Sequence, residues 1–306
     1  MRAVLNKLIT RLGERLANHD ALLEPLDAVR INQGYILSEL HRSKTSTHLH
    51  DYEFKVFSQW GEDGILQKLI RTVAIPHKTF IEFGVEDFFE SNCRFLMMKD
   101  NWSGYVLDGS STNIARLQNA YFYWRYDLTA VQAFITRENI NALLTQSGFD
   151  RDIGILSIDL DGNDYWIFDA IDVVTPRLLI LEYNAVFGPE AKISVPYDPG
   201  FYRTEKHYSN LYFGASLSAL ASLAQKKGYI LVGTNSAGNN AFFVRQDLMT
   251  DALQSLTPAQ AFTPSRYRES RLPEGSLSYL SGENRGQVIK GMPVVDVETG
   301  QVRGFN

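Results

Sequence analysis

The sequence predicts an α/β fold built on a doubly wound, mostly parallel sheet, and three observations carry that prediction. Short apolar runs, Thr79–Gly84, Gly104–Asp108, Ile153–Asp159 and Leu178–Glu182, alternate with stretches of helical periodicity. The runs are close to continuously apolar, as expected of strands covered on both faces. Each ends in a carboxylate or a glycine, and the carboxyl ends of parallel strands form the ligand-binding edge of such a sheet.

Residues 1–43 read as a helical arm. Ile9, Leu12, Leu16, Leu23 and Leu26 fall on alternating three- and four-residue steps, with His19 in the remaining seam position. Pro25 is expected to break or kink the arm, and a second helix is expected over Ala28–Leu40. Such a seam favours a homo-oligomer formed through the N-terminal helices, with packing on the chain's own domain as the alternative. Arg2, Lys7, Arg11 and Arg15 beside Leu5, Leu8 and Leu12 also leave peripheral membrane contact open. A polar linker, residues 44–56, leads to the main domain, residues 57–248.

In the main domain a helix is expected over Asp63–Val73 before the strand Thr79–Gly84, and another over Ser91–Lys99 before Gly104–Asp108. Ser111–Asn119 reads as helix, Tyr121–Tyr126 as the third strand and Ala130–Leu144 as helix. The acidic strand Ile153–Asp159 and the strand ending at Glu182 follow. Ala185–Gly214, rich in Pro, Gly and Tyr, is a long irregular segment of the kind that carries function. A helix over Leu217–Lys227 precedes Tyr229–Val232 and Ala241–Val244, joined through Ser236–Asn240, so the sheet is expected to end in an antiparallel hairpin. The C-terminal extension, residues 249–306, has weak periodicity and several arginines, Arg266, Arg268 and Arg271.

The chain has 306 residues, 44% of them hydrophobic, enough for a sizeable core. A formal net charge of −5 argues against non-specific nucleic-acid binding, which needs a basic face. The lone cysteine, Cys93, rules out an internal disulfide and fits a reducing compartment. No run approaches the ~20 apolar residues of a membrane span. Lys7, Arg11, Glu14 and Arg15 interrupt any signal-peptide core. A cytoplasmic protein is expected.

Chemistry concentrates in Ile153–Asp164, where an apolar strand runs into Asp159, Asp161 and Asp164. Three acids at a strand end repel one another unless a cation, a ligand or hydrogen-bond donors compensate. Asp164 also suits a solvated turn that caps the following helix. The neighbouring strand ends in Glu182-Tyr183-Asn184. Gly84 frees the backbone to turn off the first strand, ahead of Glu86 and Asp87. Asp108, followed by Gly109 and Ser110, stands where a carboxylate grips two ribose hydroxyls, or caps the next helix. Asp127 is expected to end the third strand, near a purine ring. A nicotinamide dinucleotide needs a glycine-rich turn for its pyrophosphate. The turn here, Gly84-Val-Glu-Asp-Phe-Phe-Glu90, has one glycine and three acids, which suit the sulfonium and ammonium of S-adenosylmethionine instead.

Taken with these motifs, the hairpin-ended sheet resembles the Rossmann-like class I S-adenosylmethionine-dependent methyltransferases. Ser58-Gln-Trp-Gly-Glu-Asp-Gly64, Phe80-Ile-Glu-Phe-Gly84 and Ser157-Ile-Asp-Leu-Asp-Gly162 resemble, more narrowly, the FkbM-type methyltransferases, over roughly residues 55–247. The resemblance implies that Glu82 and Gly84 hold the amino-acid end of the cofactor and that Asp108 binds its ribose. It further implies that Asp159 and Asp161 are the strand-four pair, and that Gln59 with Glu62 and Asp63 closes over the cofactor. Glu86 and Asp87 depart from the family's small first loop, and Ser157 replaces its lysine.

The function these readings imply is O-methylation of a saccharide or glycoconjugate hydroxyl, in polysaccharide biosynthesis. Asp161 or His207 is the expected base. Some methyltransferases of this fold hold Mg²⁺ on acids after strands four and five. Asp159, Asp161, Glu182 and Asn184 form the matching oxygen set. Tyr197, Tyr202, Tyr208 and Tyr212 are candidates for stacking on a sugar ring. An NAD-dependent nucleotide-sugar-modifying enzyme and a non-catalytic scaffold of a biosynthetic complex are the competing readings.

Overall fold

The computed structural model describes residues 22–306. Residues 22–40 form the first described helix, α1. It runs through Pro25, so the expected new start at Ala28 is not seen; the upstream seam positions Ile9, Leu12, Leu16 and His19 lie outside the described residues. Then follow α2 (Glu62–Thr72), β1 (Thr79–Phe83), α3 (Arg94–Asp100), β2 (Ser103–Asp108), α4 (Ser111–Gln118), β3 (Leu128–Gln132), α5 (Ile140–Thr145), β4 (Ile155–Ile158), α6 (Asp164–Ala170) and β5 (Leu178–Glu182). The rest comprises β6 (Ile193–Ser194), α7 (Arg203–Lys206), α8 (Leu217–Lys226), β7 (Tyr229–Thr234), β8 (Asn240–Arg245), α9 (Pro258–Ala261), α10 (Asn284–Val288), β9 (Pro293–Asp296) and β10 (Val302–Gly304).

Seven strands form one sheet in the order β3-β2-β1-β4-β5-β8-β7. The first five are parallel; β8 lies antiparallel to β5 and to β7. The doubly wound sheet with its terminal antiparallel hairpin is therefore present. Ile81, Tyr105, Leu156 and Leu179 face one core layer, and Phe80, Val106, Ile155 and Ile180 the other. Both faces of every central strand are thus covered, which is why those strands read as unbroken apolar runs. Strand order reverses between β1 and β4, and ligands bind outside the carboxyl ends at such a switch point.

Two expectations need correction. The third strand is Leu128–Gln132, not Tyr121–Tyr126, and the helix over Ala130–Leu144 shortens to Ile140–Thr145. The aromatic run 121–126 instead makes a turn in which Phe122 is buried while Trp124 is exposed. Nor is the C-terminal extension irregular throughout. β9 pairs with β10 and with β6, and Ile289 and Val294 pack on Phe187, Ile193 and Phe201 of the long 185–214 segment.

One face of α1 packs on the chain's own domain. Asp27 and Arg94 form an ion pair at 2.5 Å with both side chains buried, and the Tyr121 hydroxyl donates to Asp27. The Arg94 guanidinium lies 4.0 and 4.3 Å from the Phe57 and Phe122 ring centres. Gly34 sits where a Cβ would come within 2.5 Å of Phe95, so the helix docks closely because that position is glycine. Leu23, an expected seam residue, is half-buried, whereas Leu26 is exposed.

Candidate active site

Strand register assembles the site. Glu82 pairs with Ser157 across β1–β4, so Gly84, two residues on, lies level with Asp159. Ser157 pairs with Ile180 across β4–β5, which brings Asp159 level with Glu182. Gly84 has φ +67°, and a Cβ there would lie 1.7 Å from the Asp159 carbonyl oxygen. Only glycine fits that contact and that backbone. Beyond the strand ends, Glu86 (φ +47°) and Asp161 (φ +52°) both adopt the left-handed conformation, uncommon for non-glycine residues. Strained backbone of this kind clusters at functional sites.

A groove with two lobes opens along this edge. The first lobe, about 410 Å³, lies over the ends of β1–β4 and is lined by Asp108, Gly109, Ser110, Phe134 and Tyr202. The second, about 540 Å³, lies toward β5 and β8 and is lined by Gln59, Trp60, Glu182, Asn240 and Tyr267. Gly84, Glu86, Asp159, Asp161, Arg203 and Glu269 border both. Volumes of this order suit small-molecule sites.

Asp159, Asp161 and Glu182 each present a carboxylate oxygen within 4.8 Å of the others. Burial, and then neighbouring carboxylates, Asp161 for Asp159 and Asp159 for Glu182, push both well above the usual carboxylate range. The pair therefore retains a proton to higher pH than free carboxylates. Glu182 Oε2 is buried with no hydrogen-bond partner among the described residues. Asp161 is exposed and ion-paired to Arg203, whose guanidinium stacks 3.8 Å from the Phe213 ring centre and donates to the Asn210 carbonyl at 2.7 Å. Asp164 turns back, accepting from the backbone N–H of Leu160 and Gly162, and burial raises it to about 6. It is the first residue of α6 and is fully buried, so the solvated helix cap expected of it is not found; Asn163 holds the N-cap position, with no side-chain cap hydrogen bond.

The other expected residues distribute unevenly. Asp108 accepts from the N–H groups of Glu86 and Ser110 at 2.9 and 2.7 Å, fixing the loops on both sides of the first lobe. Ser110 caps α4 by accepting from Asn113 N–H. Burial raises Glu82, which accepts from Ser91 Oγ and the N–H groups of Asn92 and Cys93, so its carboxylate shapes the lobe wall. Asn92 also donates to Ser157 Oγ, which occupies the lysine position of the resembled pattern. Glu62 ties the Trp60–Gly61 backbone to Asn235 and Asn240, and Asp63 gathers the N–H groups of Val56, Phe57 and Ser58. These buried acids hold Gln59 and Trp60 at the mouth of the second lobe.

Three expected residues are not brought to the groove. Asp127 precedes β3 and so lies at the opposite edge of the sheet, a direct consequence of the corrected strand; Ala133 and Phe134 take its place beside the first lobe. Asn184 donates to the carbonyls of Leu211 and Phe213 and accepts from Val186 N–H, so its amide clamps the long segment and lines neither lobe. His207 hydrogen-bonds Ser209, stacks on Tyr208 and lines neither lobe. Of the four tyrosines expected to stack on substrate, only Tyr202 lines the groove; Tyr212 is buried and donates to the Pro293 carbonyl.

Arg203, Tyr267 and Glu269 were not anticipated. Arg203 lies in the segment flagged as functional by its length. Tyr267 stacks on Trp60 with ring centres 5.2 Å apart, and only the fold of the C-terminal extension brings it there.

No protein-family model matches this chain, and no curated protein matches its sequence. Among solved structures, it is similar to an S-adenosylmethionine-dependent methyltransferase from Clostridium acetobutylicum, with 11% identity over 41% of this chain and 51% of that one and a TM-score of 0.29. It is similar to a precorrin-6y C5,15-methyltransferase from Geobacter metallireducens, with 12% identity over 63% and 90% of the two chains and a TM-score of 0.35. A cyclopropane synthase from Mycobacterium tuberculosis is similar at 13% identity over 61% and 67%, with a TM-score of 0.35. The match spans about half the length of the first of these.

Proposed function

We propose that this chain is an S-adenosylmethionine-dependent O-methyltransferase whose acceptor is a saccharide or glycoconjugate hydroxyl. The observation that carries the reading is the charge of the groove. Both lobes are bordered by Glu86, Asp159, Asp161 and Glu269, with Arg203 as the lone lysine or arginine among the described residues that line either lobe. A diphosphate-bearing dinucleotide would be repelled there, and the sulfonium and ammonium groups of S-adenosylmethionine attracted.

The first lobe takes the donor. Asp108 Oδ1 is taken by Ser110 and Asn113, but Oδ2, which accepts from Glu86 N–H, keeps acceptor capacity for a ribose hydroxyl; Phe134 offers an apolar wall for a purine, and Gly84 lets the chain pass close beneath. When bound, S-adenosylmethionine supplies an activated methyl group on a sulfonium. The carboxylates of Asp159 and Asp161 lie where that positive charge is favourable. The second lobe takes the acceptor, with the exposed Trp60 face for a sugar ring and Gln59 and Asn240 as hydrogen-bonding groups. Methyl transfer makes an O–C bond and breaks the S–C bond, and the hydroxyl proton must leave. We assign that proton to Glu182, a buried carboxylate with an oxygen within 4.8 Å of Asp159 and Asp161, whose affinity for a proton is raised by burial and then by Asp159. Asp161, oriented by Arg203, positions the acceptor between the lobes.

The same three carboxylates fit a hard divalent cation such as Mg²⁺, and the unpartnered Glu182 oxygen favours that reading of the donor set. A metal there would lower the pKa of the bound hydroxyl. S-adenosylhomocysteine release, measured with a panel of neutral saccharides before and after EDTA, tests both. Acceptor-dependent turnover abolished by Glu182→Gln supports the assignment. Turnover with no saccharide would sink it, and loss in EDTA restored by Mg²⁺ selects the metal form.

A further inference from the structure

We propose that the outer face of α1 is a coiled-coil seam and that its occupant is the same helix of a second copy of this chain. Leu22, Leu26, Val29, Ile36 and Leu40 are 52–63% exposed, although each is a large apolar side chain. With Gln33 they follow strict four-three-four-three-four spacing, the a and d positions of a heptad repeat, and form one narrow stripe. Asp27, Gly34 and Ser38, buried against the domain, lie on a different face, so docking does not consume the stripe. Upstream, the sequence repeats the spacing at Leu5, Leu8 and Leu12, with a lapse at Arg15 and His19. A lipid surface does not require a 3.5-residue period, whereas a partner helix does.

Gln33 selects the arrangement. In a parallel, in-register pair it meets the Gln33 of the second copy, and the two amides satisfy one another. In an antiparallel pair centred on this helix it would face Val29 and bury an unsatisfied amide. A single polar residue at an a position specifies register in this way. The seam leaves the groove free, since none of its residues lines either lobe.

Light scattering on the full-length protein tests the seam, and a cysteine scan tests its direction. The expected mass is at least twice that of one chain, falling to one chain in Val29→Lys/Ile36→Lys with an unchanged melting temperature. Gln33→Cys should cross-link under mild oxidation, while Ala28→Cys, off the stripe, should not. A wild-type protein of single-chain mass at tens of micromolar would overturn the proposal. So would a double variant that keeps the wild-type mass. Cross-linking at Ala28 but not Gln33 would overturn the parallel register.

Discussion

Glu182 carries the sharpest residue-scale consequence. It is a buried carboxylate facing another carboxylate, so Glu182→Gln relieves repulsion and should leave stability unchanged or raised, while lowering turnover by about 10²- to 10⁴-fold, the usual weight of a positioned base. Thermal melts and initial rates on one preparation separate the two effects; a fall in both would make Glu182 a packing residue. Proton affinity raised in the fold has a definite sign. Asp63 and Asp164, each raised to about 6, bind protons more tightly folded than unfolded, as the Asp159–Glu182 pair does. Their stabilising effect is complete below the unfolded carboxylate range near pH 4 and is lost as pH rises through the folded values. Melting temperature of the ligand-free protein should therefore decline from about pH 4 to beyond 6, while kcat rises as the pair deprotonates. A melting temperature that climbs across that window contradicts the assignment. His207→Ala should leave kcat within about twofold, because burial and Ser209 hold that ring away from both lobes.

Element-scale behaviour follows from register. Gly84→Ala forces a Cβ into the Asp159 carbonyl at the β1–β4 switch point and should cost several kcal/mol, read as a melting shift. Asp27→Asn leaves the buried Arg94 without its counter-charge, so about 3–5 kcal/mol should be lost and α1 loosened, read by denaturant melts and hydrogen exchange. Much of this architecture was legible in the sequence, because buried parallel strands announce themselves as apolar runs and their ends as acids. β1, β2, β4, β5 and the closing hairpin were readable for that reason. β3 was not, since Leu128–Gln132 is an edge strand with exposed Thr129 and Gln132, and its pattern is weaker than the aromatic run before it. That one misplacement moved Asp127 to the wrong edge and hid Phe134. Asn184 failed as a site residue for a different reason: sequence gives a side chain's chemistry but not whether neighbouring backbone has already used its hydrogen bonds. Tyr267 and Glu269 depend on how the last 50 or so residues fold back, and no local pattern carries that information.

At the scale of the whole molecule, the sheet supplies a switch point, the C-terminal extension closes over it, and α1 docks behind. The pairing of β9 with β6 joins the extension to the 185–214 segment that carries Arg203, while Tyr267 and Glu269 enter the groove from the intervening loop. Removing residues 249–306 should therefore abolish acceptor use even where the main sheet persists by circular dichroism. The central claim is that the acidic two-lobed groove binds a sulfonium donor, and calorimetric titration of the full-length protein with S-adenosylhomocysteine tests it most directly. The account predicts saturable binding near one per chain, weakened at least tenfold by Asp108→Ala. No heat or fluorescence change on adding either S-adenosylhomocysteine or S-adenosylmethionine, with acceptor saccharides and Mg²⁺ present, would contradict it.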